Sequence, residues 1–153
     1  MTGTVEAKLA TLGITIPAAS APAANYVPFV ISGNQLWISG QISMANGSFM
    51  TGKLAGEGDI EAGRAAARQC AINLIAQIKA ALGDLDRVKR VVKLVGFVNS
   101  STDFTDQPKV VNGCSDLFVE VFGDAGRHAR SAVGVAQLPF NVSVEVEAVI
   151  EFA

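Results

Sequence analysis

The sequence predicts an α+β fold, with helices packed on one face of a mixed sheet, and three observations carry that prediction. Strand-like and helix-like runs follow one another in the order β-β-α-β-α-β-β after a short helical extension. The last run alternates Val142, Val144, Val146, Ala148, Ile150 and Phe152 with Ser143, Glu145, Glu147 and Glu151, the period of a strand with one buried face. The run from Arg90 to Asn99 is instead apolar on both faces, as a strand covered on both sides must be.

At the N-terminus Val5, Leu9 and Leu12 recur at helical spacing and Gly13 follows, which predicts a short peripheral helix with a glycine stop. Ile16 to Asn25 is rich in Ala, Pro and Ser and reads as an extended loop. Tyr26 to Ser32 and Gln35 to Gly40 are strand-like, joined by a two-residue turn at Gly33 and Asn34. The glycine-rich stretch Ser43 to Gly58, with Phe49 and Met50 exposed, reads as a long loop. Asp59 is the expected cap of the longest helix, whose buried stripe is Ala67, Cys70, Leu74, Ile78 and Ala81 and whose stop is Gly83. After the Arg90 to Asn99 strand, Asp106 and Pro108 start a second helix with Val110, Cys114, Leu117, Phe118 and Val121 inward, ending at Gly123. Strands at Ser131 to Ala136 and Val142 to Phe152 flank a Leu138-Pro139 corner.

A chain of 153 residues suits one domain spanning 1–153, with residues 1–24 as helical extension and loop. Half of the residues are hydrophobic and the mean hydropathy is +0.37, yet no run approaches the ~18 to 20 apolar residues of a membrane span. The surplus apolar surface predicts self-association. Twelve basic residues against fourteen acidic ones leave a formal charge of -2, which disfavours a nucleic-acid partner. MTGTVEAKLATLG resembles neither a secretory signal nor a transit peptide, so a cytoplasmic location is expected. Cys70 and Cys114 read as small core residues, a disulfide being the less favoured alternative.

The residues able to carry chemistry are few. Arg130 opens a strand, where a guanidinium with a fixed backbone can clamp a carboxylate through two parallel hydrogen bonds. Spacing alone favours a plainer arginine paired with Glu147 or Asp124. Glu145 and Glu147 share a strand face, two residues apart, so their charges lie close enough to interact and one can serve as a base; a solvated or salt-bridged sheet face is the bland alternative. His128 is the single histidine and reads as a surface loop residue, without a second His for ribonuclease-type catalysis or a shared metal. Tyr26, also unique, has a hydroxyl that either reaches a ligand or simply stays wet at the edge of the core. No phosphate-binding glycine loop, GxSxG or HExxH is present.

LWISGQIS, VVKLVGFVN followed by DF, and RSAVGVAQLP with VEVEAVIEF occur in that order between Asn25 and Phe152. Together they resemble the successive signatures of the Rid (YjgF-like) family. The resemblance implies a chorismate-mutase-like fold, a homotrimer with clefts between subunits, and cofactor-independent hydrolysis of reactive 2-imino acids to 2-keto acids and ammonia. It further implies a carboxylate-binding role for Arg130, water activation by Glu145, and ligand contacts from Tyr26, Asn112 and the backbone near Ala132. A non-catalytic binder of small carboxylates or 2-keto acids, and the endoribonuclease or translation-inhibitor activity ascribed to some relatives, are the alternatives. The chain departs from the best-characterised deaminases at Ala132, where they have cysteine, and at Ser115, where they have an aromatic residue. The N-terminal helix and the long Ser43 to Gly58 segment are additions.

Overall fold

The computed structural model describes residues 3–22 and 24–153, so Met1, Thr2 and Ala23 of the expected N-terminal extension lie outside the described residues. The strands are β1 (Phe29–Ser32), β2 (Gln35–Ile42), β3 (Met44–Ala45), β4 (Ser48–Phe49), β5 (Val88–Asn99), β6 (Ala129–Val135) and β7 (Val144–Phe152), and the helices α1 (Thr4–Thr11), α2 (Ile60–Leu82) and α3 (Gln107–Phe122). Five strands form one sheet in the order β1-β2-β7-β5-β6. Only the β5–β6 pair is parallel, because α3 carries the chain across between those strands. The predicted mixed sheet and element order are therefore observed.

α2 and α3 cover one face of the sheet. Leu74, Ile75 and Ile78 of α2 and Val110, Leu117 and Phe118 of α3 are buried against Leu36 and Ile38 of β2, Leu94 and Val98 of β5, and Val144, Val146 and Ile150 of β7. Each such Leu, Ile, Val or Phe side chain stabilises the fold by about 1.5 to 3 kcal/mol relative to exposure. Small residues set how closely the layers meet. A Cβ on Gly113 would lie 2.1 Å from the Arg64 carbonyl oxygen, so α3 approaches the backbone of α2 only with glycine there. Cys70 and Cys114 are free and fully buried in this core, and burial pushes both thiols up.

Several local expectations are corrected. The Ser43 to Gly58 segment is not wholly a loop: β3 and β4 form a small hairpin around Asn46 and Gly47, both at positive φ (53° and 77°), as a type I′ turn requires. Asp59 does not cap α2 through its side chain; its carboxylate accepts from Ala55 N at 2.8 Å and Gly56 N at 3.2 Å and closes the short 3-10 turn Glu57–Asp59. Tyr26 lies in a bend ahead of β1 and not within it. Phe140 (φ 58°) and Asn141 (φ 57°) in the corner after Leu138 adopt the left-handed conformation. For a residue as bulky as Phe this costs on the order of 1 to 3 kcal/mol.

The N-terminal helix is less peripheral than its sequence suggests. Leu9 is 1% exposed and joins the main core, and Lys79 pairs with Glu6. The free N–H groups of Thr4 and Val5 donate to the Asp86 carboxylate at 2.8 and 2.9 Å, a cap supplied from beyond α2. The Val5 and then the Thr4 amide hold Asp86 below the usual carboxylate range. A depressed folded pKa means that this anchoring is present above the ordinary carboxylate range and is lost as pH falls through the lowered folded value. Asp86→Ala is accordingly expected to speed amide hydrogen exchange across residues 4–11 at neutral pH and leave β5 and β7 protected. Acid strong enough to take the pH below the ordinary carboxylate range is expected to produce the same local loosening in the unmodified chain.

Candidate functional site

Strand register assigns each candidate side chain to a face. On β6, Arg130 pairs with Leu94 and Ala132 with Gly96, and both partners are buried under the helices. Arg130 and Ala132 therefore face α3. Glu145 pairs with Phe97 and Ile42, one residue out of phase with the buried Val144 and Val146, and so faces the open side of the sheet. Glu147 follows two residues later on that same side.

Arg130 is held by neutral oxygen atoms. It donates from Nη1 to Asn112 Oδ1 at 2.8 Å and to Ser115 Oγ at 3.2 Å, and from Nη2 to the Pro108 carbonyl at 3.4 Å. Among the described residues it makes no salt bridge, and Asp124 pairs with Arg127 instead. Its positive charge is thus fixed in direction without being neutralised, the state in which a guanidinium takes an anion.

His128 lies in the loop ahead of β6, as expected, but not at the surface. Half-buried, it packs edge-on against Phe118 and uses both ring nitrogens. The Gly126 carbonyl, 2.6 Å from Nδ1, can only accept, so Nδ1 carries the hydrogen and Nε2 accepts from the Ser115 hydroxyl at 2.9 Å. A chain of donors consequently runs from Arg130 through Ser115 and His128 to Gly126. Burial lowers the His128 pKa, with the Gly126 carbonyl opposing and Arg130 adding to the fall, which keeps the ring neutral at neutral pH. Sequence reasoning missed this relay because the hydroxyl and the imidazole are brought together only by α3 packing on β6.

The second cluster surrounds Glu145. Its carboxylate lines a cavity of about 560 Å³ together with Tyr26, Gly40, Ile42, Phe49 and Phe140. Half-buried Glu145 has its pKa raised, first by desolvation and then by Glu147. Tyr26 is 52% exposed at the cavity edge, on a segment fastened to β2 by Ser39, which donates from N to Pro28 O at 2.9 Å and from Oγ to Val27 O at 2.8 Å. The β2–β7 register slips between Ile38 and Gln41, and a Cβ on Gly40 in that bulge would lie 2.3 Å from Glu145 Oε2. Gly40, a residue that the sequence reading left as a mere strand end, therefore makes the space in which Glu145 stands. Gly40→Ala is expected to turn the carboxylate aside with little loss of stability, because the added methyl meets the movable end of a side chain. Thermal melting alongside a structure of the variant checks this.

The two clusters do not meet within one chain: Tyr26 and Glu145 share the open face, whereas Arg130, Asn112 and Ala132 belong to the opposite one. Against known proteins, the family model described as "YjgF/chorismate_mutase-like, putative endoribonuclease" matches residues 6–152. The chain belongs to this family. It is 58% identical over 151 residues to protein TCP17 of Trypanosoma cruzi, covering 97% of this chain and 94% of that protein. It is 31% identical over 139 residues to the 2-iminobutanoate/2-iminopropanoate deaminase of Dermatophagoides farinae, covering 90% and 93%. The crystal structure of Atu1372 from Agrobacterium tumefaciens, of unknown function, superposes with a TM-score of 0.90 at 50% identity, covering 97% and 92% of the two chains. Among the described residues of this YjgF-type chain, no helix is long and apolar enough to cross a membrane.

Proposed function

We propose that the chain hydrolyses reactive 2-imino acids to 2-keto acids and ammonia at a site completed between two copies. The observation that carries this reading is the state of Arg130, oriented by Asn112 and Ser115 and balanced by no carboxylate among the described residues. Its family and the deaminase named among its relatives support the reading further. Since Glu145 lies on the other sheet face, a second copy has to bring it to Arg130. The open face suits such a contact: Val30, Trp37 and Val133 are exposed there, an apolar surface that association would cover. The arrangement proposed is a homotrimer, and light scattering coupled to size exclusion is expected to give three subunits, a stable monomer contradicting it.

The chemistry follows from the groups. Arg130 of one copy clamps the substrate carboxylate, and β6, a sheet edge, offers backbone groups around Ala132 to the same ligand. Glu145 of the neighbouring copy takes a proton from water, whose oxygen bonds to the electrophilic imine carbon. Glu145 passes that proton to the imine nitrogen, giving the neutral carbinolamine, and then relays the hydroxyl proton to the nitrogen as the C–N bond breaks, so that ammonia leaves and the C=O bond of the 2-keto acid forms. A carboxyl with a raised pKa suits both halves of this exchange. His128 has both ring nitrogens engaged, so it offers no free base for ribonuclease chemistry. The test is to follow the decay of dehydratase-generated 2-iminopropanoate with and without purified protein. Acceleration supports the deaminase, whereas keto-acid binding without acceleration would make the chain a binder.

A further inference from the structure

Two phenylalanines beside Glu145 are unexplained by folding. Phe49 and Phe140 stack with ring centroids 4.7 Å apart and planes 10° from parallel, yet they are 41% and 60% exposed, and neither belongs to the core cluster. Phe140 also occupies the left-handed region (φ 58°, ψ 17°), which a bulky side chain avoids.

The surroundings impose this conformation. Buried Asn99 donates from Nδ2 to Asn141 Oδ1 at 3.2 Å and to Val142 O at 3.1 Å, and accepts from Lys53 Nζ at 2.7 Å. Gly52 N donates to Asn141 O at 3.0 Å. The β3–β4 hairpin, turned by Asn46 and Gly47, presents Phe49 from the other side. Strain held in place by its neighbours, carrying an exposed ring into a cavity with a carboxylate, is a sign of a site and not of a core.

We infer that the Phe49–Phe140 stack forms the side-chain subsite of the proposed reaction and selects 2-imino acids with an aromatic side chain over those with a small one. This rests on the imine-hydrolysis reading for the identity of the reacting group. The cavity of about 560 Å³ is within the range that encloses a ligand much larger than an iminopropanoate. Its wall is a pair of flat rings, against which an aryl group packs offset or edge-on, whereas a methyl group leaves the space to water.

The experiment compares 2-imino-3-phenylpropanoate with 2-iminopropanoate, each generated in place by an amino-acid oxidase, for the unmodified protein, Phe140→Gly and Phe49→Ala. The unmodified protein is expected to favour the phenyl substrate in kcat/KM by about tenfold or more, and each variant to erase most of that ratio. Phe140→Gly is also expected to raise the melting temperature, because glycine adopts the left-handed conformation without strain; a merely structural ring would lower it. Equal rates on the two substrates, an equal fractional loss on both in the variants, or a lower melting temperature with loss of assembly would overturn the inference. Should neither imine be hydrolysed, the imine-hydrolysis reading fails and the affinity ratio of phenylpyruvate to pyruvate decides the subsite. A ratio near ten that collapses in Phe140→Gly upholds it, and a ratio near one overturns it.

Discussion

Glu145→Gln is expected to keep ligand binding and assembly while losing imine hydrolysis by about two to four orders of magnitude, the usual contribution of a general base. The amide has the size of the carboxyl and fits the space left by Gly40, but it takes no proton from water. The effect on stability runs the other way. Desolvation and Glu147 raise the folded pKa of Glu145 above its ordinary value, so the native state binds more protons than the unfolded one between those two values. Stability therefore falls as pH rises through that window, and the substitution removes this loss. Thermal melting at neutral pH is expected to show a midpoint no lower than that of the unmodified protein, which separates a missing base from a damaged fold. Glu147→Gln is the control: it keeps the base, removes the second cause of the raised pKa, and is expected to move the acidic limb of the rate profile to lower pH.

Arg130→Ala is expected to cost roughly 2 to 5 kcal/mol of binding to a 2-keto acid, the usual loss for a close charged contact. The fold is expected to survive, since the guanidinium pairs with no carboxylate among the described residues whose charge its removal would strand. Arg130→Lys keeps the charge but cannot bond Asn112 and Ser115 while presenting two parallel donors to a ligand, so its affinity is expected to fall between the two. Calorimetric titration with pyruvate checks the series. An Arg130→Ala protein that binds pyruvate as before would remove Arg130 from the site.

Elements whose signal is local were legible in the sequence. The stripes of α2 and α3, the alternation of β7 and the glycine stops at Gly83 and Gly123 needed only neighbours along the chain. The β3–β4 hairpin was missed although Asn46-Gly47 announces it, because two residues on each side are too few to show a period. The docking of α1 depends on Asp86, more than eighty positions away from Thr4, and no local pattern encodes that. Of the candidate residues, Arg130, Asn112, Glu145 and Tyr26 each stand out in the sequence or in the family resemblance, but their division into two clusters does not. It follows from the parallel register of β6 on β5, which puts Arg130 opposite Leu94, and two strands apart in a sheet have no readable phase in the sequence. Ser115 was visible only as a departure from an aromatic residue, and the structure accounts for it by the hydrogen bonds to Arg130 and His128.

The claim that Arg130 and Glu145 act together from different copies is tested most directly by mixing two inactive chains. Arg130→Ala and Glu145→Gln proteins are each expected to lack hydrolysis. Co-expressed or unfolded and refolded together, they form assemblies in which some interfaces join an intact Arg130 from one chain to an intact Glu145 from the other. In a ring of head-to-tail contacts, random mixing leaves about a quarter of the sites complete. Recovery of activity toward about a quarter of the unmodified level is the expected result. A mixture that forms hybrid assemblies yet stays as inactive as its parents would place both residues' function within one chain and contradict the account.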